Sequence, residues 1–406
     1  MNPDFRRHDG EAKVTGRAIF AGEEKPVGTL HGVLVPSSIA RGRILEVGDG
    51  AALAVPGVVR VITARDLPSL GAPPVPPVAQ TFVPLTDDTV RYEGQPVALV
   101  VAERLEAAER GAELVTVRYD VEEPRAFDLD AAEVPPGQAD GNGYSLGPND
   151  TELGDFDAGW AGAAANVDAT YETATRHHNM MEPSTTVAEW RGGELHLHDS
   201  TQWTYGVRYG LSALLGMDPG KIHVRCPYTG GGFGAKGYVW PHQILAPLAA
   251  RLLKRPVAVS LGRVGCYTGT GYQPRVHSRV RLAASESGRL RAIHHGSVSL
   301  TSTFDDYVEF ATAGTRGMYR SPAIRTRTRV ARAHVATPTA MRAPHEGPGM
   351  FALESAMDEL AHALDMDPVE LRLSNDAEVD PLHGTPFSSK ELAQVYREAA
   401  RRFGWA

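Results

Sequence analysis

The chain has 406 residues, of which 42% are hydrophobic and 22% charged, and its formal net charge is −8. This composition is typical of a globular chain of two or three domains. The negative charge disfavours nucleic acid and anionic membranes as partners, and no apolar run approaches the roughly 20 residues of a membrane-spanning helix. The first residues lack the apolar core of a signal peptide, so the sequence predicts a cytoplasmic protein.

The chain contains two cysteines, Cys226 and Cys266. They are too few for an iron–sulfur cluster or a four-cysteine zinc site, so any such centre is expected on another chain. Each cysteine is predicted to be a buried or half-buried thiol.

The N-terminal part is predicted to be an α/β domain over residues 1–121. Runs at 30–35 and 58–62 are rich in strand-forming residues and bounded by turn residues, and 97–119 has the pattern of a strand, a helix and a strand. Residues 122–165 are rich in Asp, Gly, Pro and Ala, which predicts a linker.

The second domain is predicted over residues 166–406. It contains a β-hairpin at 187–198, with its turn at Arg191-Gly192-Gly193. Apolar residues at 351–364 recur at helical spacing. Capping boxes at 367–370 and 388–391 predict the starts of two further helices.

The densest glycine signal is the segment 229–237, which follows a strand-like stretch. Gly232, Gly234 and Gly237 match the spacing of a dinucleotide-binding fingerprint. The match is weak, because the preceding stretch alternates apolar and polar residues and no acidic residue ends the next strand candidate. A structural turn and contact with an anion or cofactor are equally supported, and a nicotinamide-dependent dehydrogenase stays an alternative.

Histidines suggest a metal site at two places. His177 and His178 lie near Glu182, and His196 lies two residues before His198, on the same face of a strand. No third ligand appears at a supporting interval, so hydrogen-bonded or surface histidines are favoured over a metal site.

The segment 341–346 is a polar loop stiffened by proline, placed before a helix. Arg342 could orient a substrate there, and a surface salt bridge is equally compatible with the pattern.

Four motifs in one order and spacing connect the chain to a known family. The first motif is residues 178–182 followed by 187–190, and the second is 200–202. The third is 230–236, and the fourth is 341–346 followed by 351–355. Together they resemble the molybdopterin-binding large subunit of the xanthine dehydrogenase and aldehyde oxidase family, especially its bacterial aldehyde-oxidising branch. Residues 7–18 and 94–98 resemble the family's N-terminal domain. The resemblance implies an α+β fold, with a hammerhead-type α/β domain followed by the first molybdopterin-binding domain of mixed sheets and helices.

The resemblance also implies roles for single residues. Gln202 matches the glutamine that hydrogen-bonds the apical oxo group of molybdenum, and Phe233 matches the aromatic residue beside the metal. Arg342 matches the arginine that contacts the active-site oxygen and orients the substrate. The implied catalytic residues are Arg342 and Gln202, and the implied cofactor-binding residues are Gln202, Gly231, Gly232, Phe233, Gly234 and Arg342. No side chain is expected to ligate molybdenum directly, because the pterin holds the metal.

The implied activity is molybdenum-dependent oxidation of aldehydes or aromatic heterocycles with water. The implied cofactor is molybdenum-molybdopterin in its cytosine dinucleotide form. Electrons are expected to pass to iron–sulfur and FAD centres on partner chains, and the implied partners are an iron–sulfur subunit, a flavin subunit and a C-terminal cofactor-binding half.

The chain departs from the family's pattern in three respects. Gly237 stands where purine-oxidising members have a glutamate, and Pro344 replaces a phenylalanine that sandwiches the purine, so xanthine is disfavoured as substrate. The family's large subunit also continues into a second half that carries the catalytic glutamate base, and no motif of this chain replaces it. A split subunit, a truncated gene, a fragment and a non-catalytic half subunit all stay open.

Overall fold

The computed structural model describes residues 7–71, 83–135 and 147–405. In these ranges the strands are β1 (Leu30–Pro36), β2 (Gly42–Gly48), β3 (Val58–Ile62), β4 (Thr89–Val90), β5 (Pro96–Ala102), β6 (Thr116–Val121), β7 (Asp150–Leu153), β8 (Ala165–Thr173), β9 (Thr185–Arg191), β10 (Glu194–Asp199), β11 (Ile222–Arg225), β12 (Val257–Ser260), β13 (Val276–Ala284), β14 (Leu290–Ser302) and β15 (Ile324–Ala333). The helices are α1 (Gly10–Val14), α2 (Gly50–Leu53), α3 (Leu105–Leu114), α4 (Phe156–Ala161), α5 (Thr204–Leu215), α6 (Pro241–Leu253), α7 (Arg263–Thr268), α8 (Glu346–Ala363), α9 (Pro368–Asn375) and α10 (Leu392–Phe403). None of these helices combines the length and the apolar character that crossing a bilayer requires.

A seven-stranded sheet has the strand order β11-β10-β9-β12-β1-β5-β3. Every residue of β5 is buried, because this continuous apolar strand is covered on both faces. Helix α3 packs on β1 and β5, and α6 packs on β9 and β12. Strand β1 runs parallel to β12, with Leu30 opposite Val257, so strands from both halves of the described chain share this sheet.

A second sheet has the strand order β7-β15-β14-β13-β8, and α8 packs on β8 and β13. The apolar side of α8 supplies Leu353, Met357 and Leu360 to the core beneath this sheet. Strand β7 lies inside the segment expected from the sequence to be a linker. Its Asp150 accepts a hydrogen bond from Arg329 of β15 at 2.6 Å, which helps to hold this segment on the sheet.

A third, small sheet has the order β4-β2-β6. The strand–helix–strand pattern predicted for 97–119 is present as β5, α3 and β6, but its two strands belong to different sheets. The pattern identifies each element correctly, and the pairing partners are set by residues far away in the chain.

Of the two capping signals predicted for the C-terminal helices, the one at Asp367 is present and the one at 388–391 is not. Asp367 caps α9, since its carboxylate accepts hydrogen bonds from the backbone N–H groups of Val369 and Glu370, as the sequence predicts. The capping box expected at 388–391 is wrong, because α10 begins only at Leu392 and has no side-chain cap. Lys390 is held by an ion pair with Asp376 at 2.7 Å, which keeps these residues outside the helix.

Candidate functional site

Three loops meet at one end of the seven-stranded sheet because of strand direction. Strand β10 is antiparallel to β9 and parallel to β11. The residues before β9, after β10 and after β11 must therefore lie at the same end of the sheet. These residues are the segments 178–182, 200–202 and 226–237, which contain three of the four sequence motifs.

Gln202 is fixed against the glycine loop by two hydrogen bonds. The backbone N–H of Gly234 donates to Gln202 Oε1 at 2.9 Å, and the backbone N–H of Gln202 donates to the carbonyl oxygen of Lys236 at 2.8 Å. The exposed amide group therefore has its oxygen occupied, and Nε2 has no acceptor among the described residues. Gln202 is thus positioned to donate a hydrogen bond to a ligand.

Two glycines of the loop are required by close approaches. A Cβ atom on Gly232 would lie 2.3 Å from Gln202 Oε1. A Cβ atom on Gly234 would lie 2.0 Å from the carbonyl oxygen of Ala340, and the φ of Gly234 is +111°. Side chains at these positions would therefore separate the glycine loop from Gln202 and from the loop that contains Ala340.

Phe233 and Arg342 are joined through the main chain. The backbone N–H of Arg342 donates to the carbonyl oxygen of Phe233 at 2.9 Å. Phe233 has a φ of +53° and its side chain is 42% exposed, so the strained backbone presents the ring at the surface. The exposed Arg342 guanidinium has no hydrogen bond or ion pair with any described residue, which disfavours the surface salt bridge. All six residues implied by the resemblance thus lie in one junction.

The loop that carries Arg342 is anchored by a buried histidine. His345 has a φ of +70°, and its Nδ1 accepts a hydrogen bond from the backbone N–H of Phe310 at 2.9 Å. Its own backbone N–H donates to the carboxylate of Glu309, which is fully buried. These contacts fix the loop before α8 against the second sheet.

A buried ion pair lies below the glycine loop. Lys236 Nζ contacts Glu182 Oε2 at 2.7 Å, and the side chain of Lys236 is only 1% exposed. The same carboxylate oxygen accepts a hydrogen bond from the backbone N–H of Gly230 at 2.7 Å. The pair therefore ties the segment before β9 to both ends of the loop.

A second buried carboxylate lies at the end of β10. Asp199 is fully buried, accepts hydrogen bonds from Thr186 and from Gln243 Nε2, the latter at 2.7 Å, and has a pKa raised to about 6 by burial. Gln243 in turn accepts from the backbone N–H of Trp240 at the start of α6. This network connects the sheet end to the helix that follows the glycine loop.

The histidines near the loop do not form the metal site considered from the sequence. His178 is buried and its Nε2 bonds to the carbonyl oxygen of Ala340 at 3.0 Å, while Glu182 is engaged by Lys236. The hydrogen-bonded alternative is therefore correct for His178. Both cysteines are free thiols, with Cys266 buried and Cys226 half-buried, as predicted.

The strand arrangement also removes the basis of the nicotinamide alternative. A dinucleotide fingerprint requires two neighbouring parallel strands joined through the helix that follows the glycines. Here β11 is an edge strand that pairs with β10, whereas β12 pairs with β9 and β1. Strands β11 and β12 are not neighbours, so the three glycines do not belong to such a unit.

The residues at this junction fit an anionic cofactor. The backbone N–H groups of Gly231, Gly232 and Phe233 have no acceptor among the described residues. Gly231 and Phe233 have positive φ angles, whereas Gly232 between them does not. Such an alternation curves the backbone into a concave surface whose N–H groups can bind an anion. The phosphate and pterin of a molybdopterin would find free donors here.

Sequence reasoning recognised the motifs but missed the Glu182–Lys236 pair and the role of Asp199. A lysine inside a glycine-rich loop could have suggested a buried partner, since an uncompensated buried ammonium is costly. Asp199 precedes the 200–202 motif directly and gave no separate signal.

Comparison with known proteins agrees with the motifs. Residues 138–376 match the molybdopterin cofactor-binding domain family, and residues 15–123 match the aldehyde oxidase and xanthine dehydrogenase a/b hammerhead domain family. The chain is 36% identical to the aldehyde oxidoreductase molybdenum-binding subunit PaoC of Escherichia coli K12, with 98% of this chain and 53% of the relative covered. It is 30% identical to the nicotine 6-hydroxylase large subunit of Paenarthrobacter nicotinovorans, covering 89% and 46% of the two chains.

A solved structure shows the same fold. The aldehyde oxidoreductase from Desulfovibrio gigas superimposes with a TM-score of 0.85 at 24% identity, covering 98% of this chain and 46% of that one. Because the family models match residues 138–376 and 15–123, the chain belongs to the molybdenum-binding subunits of the xanthine dehydrogenase and aldehyde oxidase family. It spans about half the length of the curated relatives it matches.

Proposed function

We propose that this chain supplies the first half of the cofactor site of a molybdenum hydroxylase. The observation that carries the proposal is the junction in which Gln202 bonds to Gly234 and Phe233 bonds to Arg342. Three segments that are distant in sequence meet there, and each leaves a polar group or a ring exposed. A bound molybdopterin would supply two-electron oxidation of a substrate with water as the source of oxygen.

The chain's own residues would bind and orient the reactants. Gln202 Nε2 would donate a hydrogen bond to the cofactor, and the backbone N–H groups of 231–233 would hold its anionic part. Arg342 would offer fixed, charge-assisted donors to a substrate oxygen that gains negative charge during the reaction. The ring of Phe233 would keep water away from one side of the site.

We propose aldehydes or aromatic heterocycles as substrates. Gly237 has no neighbour within 4 Å of an added Cβ, so this position is open and offers no charged contact to a purine. The names of two relatives, an aldehyde oxidoreductase and a nicotine 6-hydroxylase, support these substrate classes. In a complete complex we expect higher kcat/KM for benzaldehyde than for xanthine, and G237E should reduce this preference. Equal efficiency on both substrates would contradict the assignment.

We further propose that catalysis requires a second cofactor-binding half with the glutamate base, and iron–sulfur and FAD subunits that accept the electrons. The cytosine dinucleotide form of the cofactor, a location in the cytoplasm and the domain limits 1–121, 122–165 and 166–406 belong to the same proposal. The chain covers 53% and 46% of the length of two relatives, and the greater length of those relatives supports a second half in the complete site.

Metal analysis of the purified chain, alone and co-expressed with a second cofactor-binding half, tests the proposal. We expect little molybdenum and no aldehyde oxidation for the chain alone, and molybdenum, pterin fluorescence and turnover for the complex. Stable loading and turnover by the chain alone would refute the need for a second half. A complex that holds molybdenum without turnover would favour the non-catalytic alternative, and saturable nicotinamide binding without molybdenum would refute the proposal.

A further inference from the structure

A cluster of three ligand-type side chains lies at the edge of the seven-stranded sheet formed by β10 and β11. Glu194 and His196 are two residues apart on β10 and share one face of the sheet. His223 on β11 is the register partner of His196. We propose that Glu194, His196 and His223 form a binding site for one Zn²⁺ ion.

The spacing of the three groups suits a tetrahedral ion. Glu194 Oε2 lies 3.1 Å from His223 Nε2 and 3.9 Å from His196 Nε2, and all three ligand atoms lie within 4.8 Å of one another. Ligand atoms bound to zinc at about 2.0–2.1 Å in tetrahedral geometry are about 3.3 Å apart. The observed distances bracket this value, so small side-chain movements would bring the ligands into place.

To bind the ion, the two imidazole rings need to rotate and His223 needs to release a proton. Their centroids are 4.7 Å apart and their planes differ by 19°, and the Nε2 of His223 now donates its proton to the carboxylate of Glu194. Release of this proton and rotation about the second side-chain torsion, which is broad for histidine, would direct the Nε2 lone pairs of both rings to a shared point. Zinc would then replace the hydrogen bond between His223 and Glu194.

Arg191, Arg208 and Arg225 line the adjacent groove together with Glu24 and Glu189, so the charge that would attract a cation is that of Glu194. Arg191, the register partner of Glu194, bonds to Glu189 instead. Among the described residues Glu194 therefore pairs only with the two histidines, and its charge is available to an ion. His196 and His223 line a surface groove of about 660 Å³, which has room for a water molecule as fourth ligand.

The donor set selects the type of ion. Two imidazole nitrogens and one carboxylate oxygen form a set typical of zinc, whereas Ca²⁺ and Mg²⁺ prefer oxygen ligands alone. Molybdenum in this family is expected on the pterin, so the proposed zinc would be additional to it.

Zinc titration of the tag-free, metal-stripped chain in competition with a chromophoric chelator tests the proposal. We expect the wild type to bind one Zn²⁺ ion with an affinity that H223Q and E194Q each reduce by on the order of 100-fold or more, since loss of a direct ligand should cost no less than the roughly 10–100-fold that loss of an outer-shell partner costs. H383A is the matched control, because His383 is an exposed histidine with a single carboxylate partner, Asp380, at 3.1 Å. It should bind zinc as the wild type does.

Two outcomes would overturn the site. The first is equal zinc stoichiometry and affinity in the wild type, H223Q and E194Q. The second is a Co²⁺-substituted wild type whose visible spectrum is octahedral and is the same in H223Q. Circular dichroism shows whether each variant is folded, and if H223Q does not fold, the result for E194Q decides, since Glu194 is an exposed side chain.

Discussion

Glu182 and Lys236 form an ion pair at 2.7 Å with the lysine side chain almost fully buried, although 54 positions separate them in the chain. Because Glu182 also accepts from the backbone of Gly230, the pair fixes the glycine loop as well as the segment before β9. It is therefore a structural support of the candidate site.

Replacement of Lys236 by Met should be strongly destabilising, since it leaves the carboxylate of Glu182 buried without its partner. We expect a loss of about 3–5 kcal/mol in the free energy of unfolding, measured by urea denaturation. The exposed Lys221, in the same part of the chain, provides the control variant K221M, which should change stability by less than about 0.5 kcal/mol. Similar stabilities of K236M and K221M would contradict this role.

Gly234 and Gly237 should respond differently to the same substitution. Alanine at 234 places a Cβ 2.0 Å from the carbonyl oxygen of Ala340 at a φ of +111°, whereas alanine at 237 meets no atom within 4 Å. We expect G234A to cost roughly 2 kcal/mol or more and to reduce molybdenum retention in the complex, and G237A to cost at most about 1 kcal/mol. Thermal unfolding and metal content measure both effects, and the reverse order would refute the geometry.

The buried carboxyl of Asp199 should make stability depend on pH. Burial raises its pKa to about 6, although the hydrogen bonds from Thr186 and Gln243 and the charge of Lys236 lower it, and Glu182 adds slightly to the rise. A raised carboxyl pKa means that the folded state binds the proton more tightly than the unfolded chain. This stabilisation is fully present below about pH 4 and is lost as the pH rises through 6, a change of about 3 kcal/mol.

The variant D199N removes this titration and keeps the shape of the side chain. The stability of the wild type relative to D199N should therefore fall between pH 4 and pH 7.5, as measured by urea unfolding at several pH values. A constant difference across this range would show that Asp199 does not titrate there.

Arg342 should affect rate more than stability. Its guanidinium has no partner among the described residues, so R342A should unfold like the wild type while losing one preorganised donor to the reacting oxygen. In a reconstituted complex we expect a decrease in kcat on the order of 10- to 1000-fold, and R342K should also be slow because it lacks the planar donor pair. Exposed Arg320 provides the control R320A.

Turnover normalised to molybdenum content separates the possible roles of Arg342. Unchanged turnover at full metal occupancy would remove this residue from the site. Loss of the metal together with activity would assign it to cofactor retention instead.

Local signals in the sequence predicted local structure well. The hairpin of β9 and β10 follows from alternation and a glycine turn, and the cap of α9 follows from Asp367 and the proline after it. The motifs also identified the loops that meet at the sheet end, because three of the four motifs lie beside strands β9, β10 and β11.

Contacts set by strand register could not be predicted. His223 becomes the neighbour of His196 only because β11 adds to β10 in one particular register, and a shift by one residue would turn His223 to the other face. The ion pair that holds Lys390 outside α10 is likewise a long-range contact that overrides a local capping signal.

The parallel pairing of β1 with β12 affects how the protein is synthesised. The ribosome completes β1 and β5 some 155 residues before it begins β12, given that β5 ends at Ala102 and β12 starts at Val257. At 5–20 residues per second, the open side of β1 stays without its partner strand for roughly 8–30 s. During that time the nascent chain exposes an unpaired main-chain edge, so its yield in cells should depend on chaperones that bind chains emerging from the ribosome.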